Sequence, residues 1–443
     1  MDFCYQMWYN WHKMKIAIAS DIYYPMTNGV AVFAHNLAGG LAQRGHQVLV
    51  ICPSFTGKKH VEVDPDTGVK TAYLTSVRFP FYPDQIKKVE DRKEFLGVEL
   101  PRLIYKNGIW AAPYPYPEIK KILNEFQPDV IHLQTAETIA IAIRSYAKHY
   151  SVPMVATGHA YPDNVTGQFK FLKSVKKPLD TVVKNYMNSF LKHSEYATMP
   201  TEMAINDLIP KDRKKFKVPV EALSNGVDLT AFHPGKCPKE ILEKYQIEPK
   251  RRRMIYVGRV DPEKSISIVV QAFAQVLKKL PDVEFLIVGD GTDRENLEDL
   301  VRALKITDNV RFLGRVLPPD LQELYKTGLF FATASETETQ GIVLIEAAAT
   351  GLPLIAVDEG AVRELCQHDR NGILCQPKDI DGIATAIEKL FEDEKLRSRY
   401  SAGSLEVAAL HDLNRTLSRF EAIYEEAIAL KRAENWIDSL NFW

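Results

Sequence analysis

The run Ser335-Glu-Thr-Glu-Thr-Gln-Gly-Ile-Val-Leu-Ile-Glu346 sets two carboxylates, Glu338 and Glu346, on either side of a Gly-Ile-Val step. Leu329-Phe-Phe-Ala-Thr-Ala before it is short and apolar, as a buried parallel strand requires, and Gly341 to Ala349 has helical composition. Strand, polar turn and helix therefore follow one another. The first helical amides, those of Gly341, Ile342 and Val343, have no intrahelical acceptor and lie at the positive end of the helix dipole, so they suit a phosphate. Glu338 is expected in the turn and Glu346 two turns along the helix. Carboxylates accept hydrogen bonds from hydroxyls, so Glu346 can take a ribose diol while Glu338 reaches sugar hydroxyls beyond the phosphates. The competing reading is a pair of solvated acids around a helix start.

A second cluster is cationic. In Gly258-Arg-Val-Asp-Pro-Glu-Lys-Ser, Arg259 follows an apolar strand directly and Lys264 comes five residues later. The fork of donors on Arg259 and the point charge of Lys264 can neutralise a diphosphate leaving group without a metal. No D-x-D pair accompanies these cations in the motif, so no metal ligands are assigned.

Positioning these groups requires strands that end where they begin. From Lys15 the pattern alternates strand and helix: Ile16-Ala-Ile-Ala-Ser, a loop through Pro25 and Gly29, and a helix from about Val30 to Arg44. Then come Gln47-Val-Leu-Val-Ile-Cys, Asp129-Val-Ile-His-Leu and Pro153-Met-Val-Ala-Thr, as a parallel α/β sheet requires. Phe55 to Tyr116 gives no clear order. A second alternation starts at Arg253-Met-Ile-Tyr-Val-Gly and ends with Leu352-Pro-Leu-Ile-Ala-Val. The turn-rich Leu223-Ser-Asn-Gly-Val-Asp is the hinge between them. The expected domains are residues 14–226 and 227–410, with a tail at 411–432 whose helix, Asn414 to Lys431, packs back on the first domain. Two doubly wound domains would place ligands at the carboxyl ends of their sheets.

The 443 residues are 46% hydrophobic, and 56 Lys+Arg stand against 57 Asp+Glu, so no global field argues for nucleic acid. Five scattered cysteines form neither a metal spacing nor a disulfide framework, which fits a reducing cytoplasm. No apolar run approaches the roughly 20 residues that span a bilayer. Residues 1–13 are aromatic and without period, whereas Met14-Lys-Ile-Ala-Ile starts like a first strand. Met14 is therefore a candidate start, with an interfacial aromatic anchor or a docked extension as alternatives.

Several segments in order carry a family resemblance: Pro25-Met-Thr-Asn-Gly-Val-Ala, Ala156-Thr-Gly-His-Ala-Tyr-Pro, Asn225-Gly-Val-Asp, Val257-Gly-Arg through Lys264, Val288-Gly-Asp-Gly, the acidic motif, Gly360-Ala-Val-Arg-Glu-Leu and Asn371-Gly-Ile-Leu. Over nearly the whole chain from Met14 the sequence resembles the retaining glycosyltransferases of family 4. That resemblance implies the GT-B fold, α/β with two doubly wound Rossmann-like domains facing across a cleft. It implies that Glu346 binds the ribose and Glu338 the transferred sugar. Arg259 and Lys264 would hold the diphosphate together with Gly29 and the amides of Gly341, Ile342 and Val343. His159 matches the family histidine near the donor sugar. A UDP-hexose donor is expected, with no metal and no other cofactor. Gln340 stands where many members have an aromatic residue, and Thr292 where many have proline.

Basic and apolar residues interleave in Gln168-Phe-Lys-Phe-Leu-Lys-Ser-Val-Lys-Lys-Pro-Leu and the helix expected from Leu179 to Lys192, giving Lys170, Lys173, Lys176, Lys177 and Lys184. This mixture favours an anionic membrane surface at roughly 1 kcal/mol per cation, with a solvated helix face as the alternative. Family members that glucosylate diacylglycerol resemble this chain there and in Thr-Glu-Thr-Gln-Gly. The expectation is therefore transfer to a lipid, diacylglycerol, by a cytoplasmic enzyme peripheral on the inner face of the cell membrane. The runner-up acceptor is a soluble sugar or polysaccharide precursor. A GT-B nucleotide-sugar epimerase would lack this set of residues in this order. A dinucleotide oxidoreductase would need a G-x-G-x-x-G after a strand, which is missing.

Overall fold

The computed structural model describes residues 13–26, 28–78, 94–95, 98–99, 110–159, 176–209 and 216–440. The chain divides into two compact units. Among the described residues, one comprises those in 13–78, 110–223 and 417–440; the other comprises those in 94–95, 98–99 and 224–416.

The first unit is built on an eight-stranded sheet. Its strands are β1 (Lys15–Ala19), β2 (Gln47–Pro53), β3 (His60–Val63), β4 (Lys70–Leu74), β5 (Val130–Leu133), β6 (Met154–Thr157), β7 (Tyr196–Met199) and β8 (Val220–Ala222). They lie in the order β8-β7-β6-β5-β1-β2-β4-β3, all parallel except the edge strand β3, which runs antiparallel to β4. The inner strands are almost wholly apolar because both faces are covered by helices: α1 (Gly29–Gln43), α2 (Tyr116–Phe126), α3 (Thr138–Tyr150), α4 (Lys176–Lys192) and α5 (Glu202–Leu208). Strands β3, β4, β7 and β8 lie outside the apolar runs picked out in the sequence. Each is short and mixes polar with apolar residues, and β3 is exposed along one edge.

The second unit holds a six-stranded parallel sheet, β9 (Arg253–Val257), β10 (Glu284–Val288), β11 (Val310–Gly314), β12 (Phe331–Ala332), β13 (Leu354–Val357) and β14 (Gly372–Cys375), in the order β11-β10-β9-β12-β13-β14. Its helices are α6 (Lys239–Lys244), α7 (Ile266–Val276), α8 (Arg294–Ala303), α9 (Asp320–Tyr325), α10 (Ile342–Ala349), α11 (Val362–Leu365), α12 (Ile380–Glu392) and α13 (Glu394–Ala409). In both sheets the chain starts at a central strand, runs outward to one side, and returns to build the other. The order therefore switches between β1 and β5 in the first unit and between β9 and β12 in the second. Loops at the carboxyl ends of such a pair diverge and leave a crevice, the usual ligand position in doubly wound sheets.

The last helix, α14, spans Leu413–Leu440 and exceeds the expected Asn414 to Lys431, since no glycine or proline follows to stop it. From Leu417 on it belongs to the first unit. There Glu421 accepts from Arg44 at 2.6 Å and meets His46 Nε2 at 2.9 Å, Arg419 donates to Glu221 at 2.6 Å, and Lys431 pairs with Glu195 at 3.0 Å.

One close approach fixes the second sheet's crevice. Gly258 and Gly289 end the adjacent strands β9 and β10 at φ 150° and 144°, and a Cβ on Gly289 would strike the carbonyl of Gly258. Gly289→Ala is expected to destabilise the unit by about 2–3 kcal/mol in urea unfolding. Gly68→Ala, at φ 73° in open space, serves as a control for the backbone strain alone and should cost about 1–2 kcal/mol.

Candidate functional site

In the second unit the two loops flanking the switch point meet. The loop after β9 carries Arg259 and, on a 3-10 turn at Pro262–Lys264, Lys264. The loop after β12 carries Glu338. Lys264 Nζ donates to Glu338 Oε1 at 2.7 Å, with both side chains largely buried. Burial works to raise the Glu338 carboxyl, but the Lys264 charge and hydrogen bond, with the Ser335 hydroxyl and the Arg259 charge, reverse this and hold it below the usual glutamate range. Arg259 is partly exposed and forks between Asp261 and Glu263, the latter at 2.5 Å.

Asp261 was not singled out in the sequence, yet it organises this corner. Its Oδ1 accepts from both the N–H and the hydroxyl of Thr292, each at 2.9 Å, while Oδ2 accepts from Arg259. Thr292 stands where many relatives are expected to have proline, which could supply neither bond. The loops after β9 and β10 are thereby tied together, with Val260 N–H on Asp290 O at 3.0 Å and Asp293 N–H on Val260 O at 2.9 Å.

Gly341 lies at φ 87°, and a Cβ there would come within 2.6 Å of Leu344 Cδ1, so the turn into α10 needs glycine. The first helical bond runs from Leu344 N–H to Gly341 O at 2.9 Å, leaving the amides of Gly341, Ile342 and Val343 ahead of the helix's own acceptors. Glu346 is the fifth residue of α10, just over one turn along rather than two, because the helix begins at Ile342. It is buried, and the hydroxyl of the fully buried Tyr325 donates to its Oε2 at 2.7 Å. Burial pushes the Glu346 carboxyl up to about 7 although that bond opposes the shift. Tyr325 ends α9 and gave no signal in the sequence.

Gln340 also finds its reason. Its Oε1 accepts from Asn225 N–H at 3.1 Å and its Nε2 donates to Ser224 Oγ at 2.7 Å, so the acidic loop is bolted to the hinge segment. Ser224 Oγ in turn meets His411 Nδ1 at 2.9 Å, where the chain leaves the unit. A phenylalanine at 340 could make neither bond.

Gly29 and His159 belong to the first unit. Gly29 opens α1, whose N-cap Asn28 accepts from Ala31 N–H at 3.0 Å. His159 follows β6, meets Gln134 Oε1 at 2.8 Å through Nε2, and packs against Phe33 with ring centroids 5.2 Å apart. Burial pushes its imidazole down to about 3. Across the switch point from Gln134, Asp21 accepts from Thr135 Oγ1, Thr138 Oγ1 and Ile139 N–H at 3.1–3.3 Å, and burial with the nearby charge of Glu137 raises it to about 7. Lys170 and Lys173 lie outside the described residues; Lys176 and Lys177 open α4. No helix among the described residues is long and apolar enough to cross a membrane.

Residues 27–231 match the family described as Glycosyltransferase Family 4, and residues 238–406 match Glycosyl transferases group 1, so the two domains between them account for both units. The chain belongs to glycosyltransferase family 4. It is a hexosyltransferase with the GT-B fold. Alpha-monoglucosyldiacylglycerol synthases of Streptococcus pneumoniae and Acholeplasma laidlawii are each 27% identical, covering 77% and 81% of this chain and 71% and 84% of their own. Glycogen synthase of Mycobacterium tuberculosis is also 27% identical over 87% of this chain and 88% of its own. Among solved structures, sucrose-phosphate synthase from Thermosynechococcus elongatus superposes with a TM-score of 0.71 at 18% identity, covering 94% of this chain and 99% of its own. Anabaena HepE in complex with UDP and glucose follows at 0.68 and 18%, covering 93% and 99%.

The raised Glu346 has a thermodynamic signature. Between the unfolded glutamate value, about 4.3, and about 7, the folded protein holds a proton that the unfolded chain has released, so stability from this group falls as pH rises through that window. Glu346→Gln is expected to flatten that part of the pH dependence of the urea midpoint; a wild-type slope retained in the variant would contradict the burial effect.

Proposed function

We propose that this enzyme transfers a hexose, with retention of anomeric configuration, from a UDP-sugar, glucose in the first instance, to a membrane lipid acceptor, diacylglycerol. The observation that carries the donor half is the Lys264–Glu338 ion pair at the switch point of the second sheet. A lysine ammonium has three donors, and one is used on Glu338. Two remain for a diphosphate, and Glu338 keeps its second oxygen for a hexose hydroxyl. One bond thus aims both side chains. Arg259 and the amides of Gly341, Ile342 and Val343 add positive potential on the same side, and Glu346 takes the ribose hydroxyls. Gly29 serves the diphosphate and His159 the hexose from the first unit.

In the reaction, the bond between the anomeric carbon and the phosphate oxygen breaks while the acceptor hydroxyl bonds to the same face of that carbon. The hydroxyl proton passes to the departing phosphate oxygen. Charge grows on the diphosphate through an oxocarbenium-like state, and preorganised cations and amides that meet growing charge usually make the largest contribution in such sites. In this scheme Arg259 and Lys264 replace a metal.

Arg259→Ala and Lys264→Ala are each expected to cut kcat at least about tenfold, ~1.4 kcal/mol of barrier. Near-normal turnover in both would overturn the donor assignment.

Support for a lipid acceptor comes from the two alpha-monoglucosyldiacylglycerol synthases among the relatives and from the basic, partly apolar segment leading into α4, which suits a peripheral position on an anionic inner membrane face. The relatedness to a glycogen synthase favours, as second reading, a soluble sugar or polysaccharide acceptor. Sedimentation with anionic vesicles separates them: the lipid reading expects binding that weakens with salt, together with a glycolipid product of the matching mass. Absence of binding at low salt, with transfer to a soluble sugar, would replace it.

A further inference from the structure

Gln134 is the first residue beyond β5, and its N–H donates to Ala19 O at 2.9 Å, extending the ladder with β1. His159 comes two residues beyond β6, the strand paired with β5 so that Leu133 stands opposite Ala156. Two neighbouring parallel strands therefore end on side chains that meet, His159 Nε2 and Gln134 Oε1 at 2.8 Å. Gln134 is buried, at 1% exposure, and cannot swing away. Phe33 of α1 packs against the imidazole ring. Among the described residues, a titratable group near the ring is His132 on β5, held between Tyr424 at 2.8 Å and Thr157 at 2.6 Å and pushed by burial, with His159 beside it, down to about 3. Among the described residues no carboxylate bonds to His159.

The partner is thus an amide where a buried histidine could have had an acid. A carboxylate stabilises an imidazolium; an amide oxygen does so far less. With the amide oxygen toward the ring, the matching tautomer has its proton on Nε2 and a lone pair on Nδ1, and the amide Nε2 of Gln134 is buried with no hydrogen-bond partner among the described residues. We infer that Gln134 is a positioning residue for transfer, fixing the orientation and the Nε2–H tautomer of His159 and keeping the ring uncharged. This rests on the placement of His159 beside the transferred hexose proposed above. The physical benefit is specific to this chemistry. An imidazolium beside an oxocarbenium-like centre would set like charges together in a low-dielectric site, whereas a neutral ring can contact the sugar without opposing its developing charge.

Nitrogen-15 NMR of histidine-labelled protein, with His159 assigned by comparison with His159→Ala, reads tautomer and charge directly in the wild type. The expected signal is the Nε2–H tautomer with no titration between about pH 5.5 and about pH 8.5. In Q134E the new carboxylate raises the histidine pKa, so kcat should be depressed at low pH and recover as pH rises, an inflection absent from the wild type. Q134L keeps the volume and releases the ring; kcat should drop about tenfold while the UDP dissociation constant stays within about twofold. A wild-type His159 that titrates near pH 6.5, or that carries its proton on Nδ1, overturns the inference even if neither variant folds. So does a Q134E profile identical to the wild type in an enzyme that His159→Ala impairs. Wild-type turnover in His159→Ala would instead remove the placement of His159 beside the hexose, leaving the NMR result to decide what Gln134 does.

Discussion

The ion pair between Lys264 and Glu338 is the constraint around which the second unit is arranged. Its two ends come from loops 74 residues apart in sequence that follow adjacent strands, β9 and β12, where the sheet order switches. Pulling a lysine and a glutamate out of water costs more than their attraction returns unless the geometry is good and the remaining hydrogen-bonding capacity finds partners. That condition explains the surrounding detail. Asp261 and Thr292 stiffen the lysine loop, Gln340 ties the glutamate loop to Ser224 and Asn225, and glycines at 258, 289 and 341 occupy positions that a side chain would clash with or strain.

The acids and bases of this corner are largely matched against one another before any substrate arrives. Arg259 is held by Asp261 and Glu263, and Lys264 by Glu338. Such matching limits the cost of preorganisation, since the cations are aimed without being left as unpaired buried charges. Glu346 follows the opposite logic. Burial without a cation nearby raises its carboxyl to about 7. Two glutamates of one motif thus shift in opposite directions, because one has an ammonium beside it and the other is buried without a cation.

The first unit's sheet buries a chain of neutral polar groups. His132 bridges Tyr424 on α14 and Thr157 on β6, and Thr157 passes the chain to Thr198 on β7 at 2.7 Å. Buried polar chains of this kind are tolerable only when each member finds a partner, and satisfied ones specify a single arrangement. The tail helix contributes Tyr424 to this chain and Glu421 to the His46–Arg44 cluster, so it completes the unit's interior as well as covering it.

Much of this was legible in the order of residues. Apolar runs bounded by turn residues located β1, β2, β5, β6 and β9 to β13, but not β14, because a strand buried on both faces leaves a continuous apolar signature. The Gly-Ile-Val step placed the start of α10, and Arg259 and Lys264 were visible as cations at a strand end. Strands such as β3 and β8, polar or half-buried, carry no such signature and were hidden. The sequence by itself determined the element types and the chemistry of the motif. Only the tertiary structure decided the pairings: Tyr325 with Glu346 across 21 residues, Asp261 with Thr292 across 31, Gln340 with Ser224 across 116 and Gln134 with His159 across 25. The physical reason is that side-chain hydrogen bonds depend on which strands lie side by side. Strand order is set by how the apolar faces of the whole sheet are covered, which no local pattern records.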